Sequence, residues 1–180
     1  MNAKEAQEKI ITMLAGGSKK DDVFNQLIGQ GVSDRKIAYM IASYADPALC
    51  KANKGLINGV LAVAWVQFGL GALIGLSMGL TRGLASGLFI ASFISIFTLA
   101  FVWGFLKNKA WAYNATILLS IIQLSRQLSG YVESPIETSI FLAISVAWIA
   151  YVWYVRDKLF PDFTFTSPRK VNGKYVFISS

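Results

Sequence analysis

Histidine is absent from this 180-residue chain, and cysteine occurs once, at Cys50. Without histidine the chain lacks the side chain that titrates most readily near neutral pH and the commonest metal ligand. A single cysteine excludes an intramolecular disulfide and any cysteine cluster for metal. Carboxylates are scarce as well, 10 against 17 Lys and Arg. None lies in the interior of the apolar stretches described below, which argues against a buried proton relay. No glycine loop for phosphate, no metal-ligand spacing and no nucleophile–base pair is present. No catalytic residue, cofactor site or metal site is assigned, and the chain is read as a non-enzyme. The N-terminal 30 residues hold no long apolar run, so no cleavable signal peptide is expected.

What the chain has is apolar surface, unevenly placed. Hydrophobic residues make up 54% and charged residues 15%, against about 25% charged in soluble domains. Residues 1–54 hold 14 of the 27 charged side chains. Between Lys54 and Arg82 lie 27 uncharged residues, and between Arg82 and Lys107 another 24. Each exceeds the roughly 20 residues that a helix needs to cross a bilayer. A third stretch, Ala110 to Gly130, is interrupted by Asn114, Gln123, Arg126 and Gln127. Arg126 stands near its end, where a long side chain reaches the headgroups. A fourth, Thr138 to Val155, follows Pro135, which the first turn of a helix tolerates.

The expected fold is therefore an all-α integral membrane protein of four transmembrane helices, about 56–80, 83–106, 110–130 and 136–156. A three-helix head precedes them at 1–54, and a short tail, 157–180, follows. With four crossings, one side carries 15 Lys and Arg and the other only Arg82 and Arg126. Basic residues stay inside, which predicts both termini in the cytoplasm; the arrangement suits a bacterial inner membrane. Trp103, Trp111, Trp148, Tyr151, Trp153 and Tyr154 gather toward that side as an aromatic belt.

Small residues recur every four positions. Gly71, Gly75 and Gly79 on the first span face Gly83, Gly87 and Ala91 on the second, a pattern that lets helix backbones approach closely in lipid. On the third stretch Thr116, Ser120, Gln123 and Gln127 fall within one narrow stripe at 100° per residue. Such a row faces other helices or water, as packing glue or as the wall of a solute path. Arg126, Glu133 and Glu137 form a charged group at the outer face, expected as helix-end anchors or as a contact site for an external partner.

The head reads as three amphipathic helices. Asn2/Glu5 and Ser18/Asp21 have capping-box spacing, Gly16–Gly17 and Gly31 are stops, and Asp46–Pro47 ends the run. The stretch Leu27-Ile-Gly-Gln-Gly-Val-Ser-Asp-Arg-Lys-Ile-Ala-Tyr-Met-Ile41 resembles a helix-turn-helix with Gly31-Val32-Ser33 as its turn. That resemblance implies Arg35 and Lys36 at the nucleic-acid face. Residues 1–54 carry 8 basic and 6 acidic residues, a poor phosphate footprint, so nucleic acid is not the expected partner. In the tail, Asn172–Gly173 between two β-prone runs is a hairpin signal, and its five aromatic residues predict docking on the headgroups or on the head. The expected partners are the lipid bilayer and either a protein partner or further copies of the chain. Two functional readings follow. The first is an accessory, regulatory or immunity-type protein that acts through contacts. The second is a subunit of a small-solute or ion transporter or channel with its pathway on the third stretch.

Overall fold

The computed structural model describes residues 1–131 and 134–178, the side chains at 80, 82, 129 and 130 excepted. The head opens with α1 (Ala3–Ala15), where Asn2 accepts from the Lys4 and Glu5 amides and Glu5 returns a bond to the Asn2 amide. This reciprocal cap satisfies amides that the first turn leaves open. The second expected box does not form: α2 (Lys20–Leu27) starts from Lys19, and no side chain caps it. Gly17, Gly29 and Gly31 all adopt positive φ, the conformation that lets the chain turn sharply between short helices. After α3 (Asp34–Ala42), Asp46–Pro47 does not end the helical run but starts another. Asp46 Oδ1 accepts from the Ala48 amide at 2.7 Å, and α4 (Pro47–Ala52) follows with proline in its first turn.

Among the described residues three helices are long and apolar enough to cross a membrane: α5 (Lys54–Arg82), α6 (Leu84–Leu106) and α8 (Pro135–Leu159). The polar interruptions of α7 (Ala110–Gln127) keep it out of that set, although its 18 residues extend about 27 Å. A 3-10 turn, Leu128–Tyr131, closes its far end.

Helices α5 and α6 form a close hairpin whose contact is set by missing side chains. A Cβ on Gly75 would lie 2.5 Å from Ala91 Cα, and one on Gly71 would lie 2.6 Å from Ile94 Cγ2. Gly79 and Gly87 meet backbone to backbone. Gly83 does something else. It is the single residue between the two helices, has φ 97°, and nothing lies within 4 Å of where its Cβ would be. It serves the turn, not the packing assigned to it from its spacing.

The second pair, α7 and α8, is also antiparallel. Asn114 near the start of α7 meets Arg156 near the end of α8, and Gln127 at the other end meets Ser145. Gly104 lets α6 and α7 close on each other, since a Cβ there would lie 2.6 Å from Ala112 Cβ.

The tail returns to the head. Strands β1 (Lys170–Val171) and β2 (Lys174–Tyr175) pair antiparallel around Asn172 and Gly173, both at positive φ, as a two-residue hairpin turn requires. Beyond it Phe177 enters the head core beside Ile10, Val23, Leu27, Ile37 and Ile41. Phe24 packs against Tyr175 and Phe177 with ring centroids 5.5 and 5.7 Å apart. Short helices alone give a thin core, and the tail supplies its missing wall. Head and tail thus pack together at a single end of the helix bundle, the tail docking on the head rather than standing apart from it.

Candidate functional site

The four long helices share one buried core at the end that carries head and tail. Ile57, Val60 and Ala64 of α5, Val102 and Phe105 of α6, Ala112, Tyr113 and Ile117 of α7, and Val152 and Val155 of α8 belong to it. Arg156 anchors that core. It is 1% exposed; its Nε donates to Asn114 Oδ1 at 3.0 Å, and its Nη1 donates to Asp157 and to the Thr164 carbonyl. The guanidinium stands 5.6 Å from the ring centroids of both Trp153 and Phe163. Nε and Nη1 find acceptors and the faces meet aromatic rings, which offsets part of the cost of burying the charge, while Nη2 is buried without a hydrogen-bond partner among the described residues. The result pins α7, α8 and the start of the tail together. Asn114 interrupts the apolar run of α7 because it serves this contact.

Farther from the head the two hairpins separate. Tyr151 lies over Gly59, donates its hydroxyl to the Leu56 carbonyl at 3.0 Å, and forms the floor of a cleft. The cleft has a volume of about 440 Å³; its walls include Gln67 from α5, Ser120 and Gln123 from α7, and Ser145 and Trp148 from α8. Gln67 and Gln123 are both exposed, so the cleft opens on the side of the bundle. Each amide offers two donors and an acceptor carbonyl. Among the described residues no carboxylate, lysine or arginine stands on the cleft walls. The walls offer hydrogen-bonding amides and hydroxyls. A larger groove, about 740 Å³, runs along the outside of α7 and α8, but its walls are mostly apolar and suit acyl chains.

The polar stripe is therefore divided. Ser120 and Gln123 line the cleft. Gln127 accepts from Ser145 Oγ at 3.1 Å, an interhelical bond. Thr116, half-buried, is not on the cleft wall. Gln67, Ser145 and Tyr151 complete the site; Tyr151 was read only as part of the aromatic belt, and Gln67 and Ser145 were not singled out in the sequence, although Gln67 is an amide in the middle of an uncharged run. Of the outer charged group, Glu133 lies outside the described residues. Arg126 and Glu137 are exposed in the last turn of α7 and the first turn of α8, where each charge complements its helix dipole. Among the described residues no group of three His, Cys, Asp or Glu side chains is placed to hold a metal ion. Cys50, on α4, is half-buried, and burial first, then the Asp46 carboxylate, raises its thiol above the ordinary range. A thiol held protonated is a poor nucleophile.

No family model, curated protein or solved structure matches this chain.

Proposed function

We propose that this is a non-catalytic multi-pass membrane protein that acts through protein–protein contacts, as an accessory, regulatory or immunity-type partner, and that the lateral cleft is where a partner's transmembrane segment docks. The observation that carries the reading is the cleft itself. Its exposed amides are Gln67, near the middle of α5, and Gln123, four residues before the end of α7, and they open sideways. Unpaired amides facing hydrocarbon are costly, and a helix that brings its own polar side chain relieves them.

In this proposal α7 is a fourth span. It lies antiparallel along α8, and head and tail share one end of the bundle, joined by a buried ion pair between Lys20 and Asp162. Chain ends on one side require an even number of crossings, and the distribution of Lys and Arg favours the cytoplasm for that side. A bacterial inner membrane suits this orientation.

The polar walls also favour a second reading, a subunit of a small-solute or ion transporter that completes a path from Gln67, Ser120 and Gln123 by oligomerising. One experiment separates the two. The protein is extracted mildly in native lipid, and its co-purifying proteins are identified with their stoichiometry, for wild type and for Gln67→Leu/Gln123→Leu. Contact through the cleft predicts a distinct partner in fixed ratio that the double variant loses. A homo-oligomer without other proteins, whose flux into liposomes disappears in the double variant, would establish transport instead.

A further inference from the structure

A further cavity, of about 500 Å³, lies where the head meets the membrane helices. One wall comes from α1 and α3, with Ile11, Lys36 and Tyr39. The other comes from the connection between α6 and α7, with Lys107, Lys109 and Trp111. Among the described residues three lysines converge on it from two elements distant in sequence, and no Asp or Glu stands on its walls. Its floor is the start of α7, whose first turn has no acidic residue and no side-chain cap, so the positive end of that helix adds to the lysine field. All three lysine side chains are exposed and can reach an anion in the cavity.

We propose that this cavity binds the phosphate of an anionic phospholipid. Its height in the fold selects the lipid. Lys107 directly follows the last residue of α6, a helix apolar and long enough to span, so the cavity sits at headgroup level. Trp111 and Ile11 are exposed apolar surface at the same place, ready for the glycerol region and the first methylenes. A phosphodiester meets the lysines and the open α7 amides while its acyl chains stay in the bilayer. Basic pockets beside membrane helices on the cytoplasmic side recognise headgroups by this combination. The inference rests on α6 as a span and not on a partner in the lateral cleft.

The test is lipid retention by the full chain in detergent micelles, read by native mass spectrometry. Dioleoylphosphatidylglycerol is compared with dioleoylphosphatidylcholine, with inorganic phosphate and glycerol 3-phosphate as soluble competitors. A lysine near the headgroups contributes roughly fivefold in affinity. Lys107→Gln/Lys109→Gln is expected to weaken phosphatidylglycerol by about 25-fold and Lys36→Gln by about fivefold on that scale. The matched control Lys4→Gln/Lys9→Gln, exposed on α1, is expected to bind as wild type. Circular dichroism verifies folding; should the double variant not fold, Lys36→Gln decides. Equal retention of the two lipids, or unaltered binding by the folded cavity variants, would overturn the proposal. Displacement by millimolar phosphate or glycerol 3-phosphate would overturn the lipid source and make a soluble phosphorylated molecule the occupant.

Discussion

Lys20 and Asp162 stand 142 residues apart in sequence yet meet with Nζ and Oδ2 2.7 Å apart, their side chains 6% and 0% exposed. Asp162 Oδ1 also accepts from the Ile178 amide at 2.6 Å, and its carbonyl accepts from the Arg169 amide at 2.8 Å. One residue thus holds the head, the end of α8 and the returning tail. Desolvating both charges costs several kcal/mol each, so the intact pair adds little net stability. Removing one partner is a different matter, because it leaves the other charge buried and is expected to cost about 3–5 kcal/mol. Asp162→Ala should therefore loosen the head and the tail together. The readout is hydrogen exchange in micelles, followed by peptide mass spectrometry over α1–α3 and the hairpin. Exchange limited by this opening should accelerate by more than roughly a hundredfold. The double variant Lys20→Met/Asp162→Asn removes both charges while its amide oxygen can still accept from Ile178, and should lie close to wild type. The reasoning is refuted if Asp162→Ala changes exchange less than about fivefold, the range of a surface pair. It is refuted equally if the double variant is as loose as the single one.

Three further expectations follow from the same geometry. Gly75→Ile places side-chain atoms against the Ala91 backbone and should destabilise the α5–α6 hairpin by about 3 kcal/mol or more, the upper range for overpacking, measured by thermal unfolding in micelles; an unchanged melting temperature would contradict the contact. Gln127→Leu removes one interhelical hydrogen bond to Ser145 and should cost only about 0.6 kcal/mol in the same assay. Cys50 should react slowly with iodoacetamide at pH 8, because its thiol is raised by burial and by Asp46. Its rate should climb only as the pH passes beyond the ordinary thiol range, and Asp46→Asn should bring that rise to lower pH; a rise at the ordinary thiol pH would contradict the burial.

Local chemistry was legible in the sequence wherever one segment decides its own shape. The capping box at Asn2 and Glu5, the proline start of α8 and the Asn172–Gly173 turn depend on neighbours within a few residues. Long uncharged runs mark α5 and α6 for the same reason, since length and apolarity are properties of one stretch. What could not be read depends on contacts between distant segments. Nothing near Asp162 announces Lys20, and the tail's aromatic residues announce docking without saying whether the headgroups or the head core receives Phe177. Asn114 looked like a blemish in an apolar helix until Arg156 supplied its reason. Helical spacing put Thr116, Ser120, Gln123 and Gln127 on one stripe, but spacing cannot say which neighbour each position meets. Gly83 kept the four-residue period of a packing row and still went to the turn, because periodicity does not register where a helix ends.

The central claim, a four-crossing chain whose two ends form one body, is tested most directly by cysteine accessibility in sealed membrane vesicles. In a Cys50→Ser background, single cysteines at Ser18, Thr81, Asn108, Ser134 and Ser167 are labelled with a membrane-impermeant maleimide from either side. Ser18, Asn108 and Ser167 should label from the cytoplasmic side only, and Thr81 and Ser134 from the opposite side only. Labelling of Ser134 from the same side as Asn108 would mean that α7 does not cross. The four-span account would then be wrong.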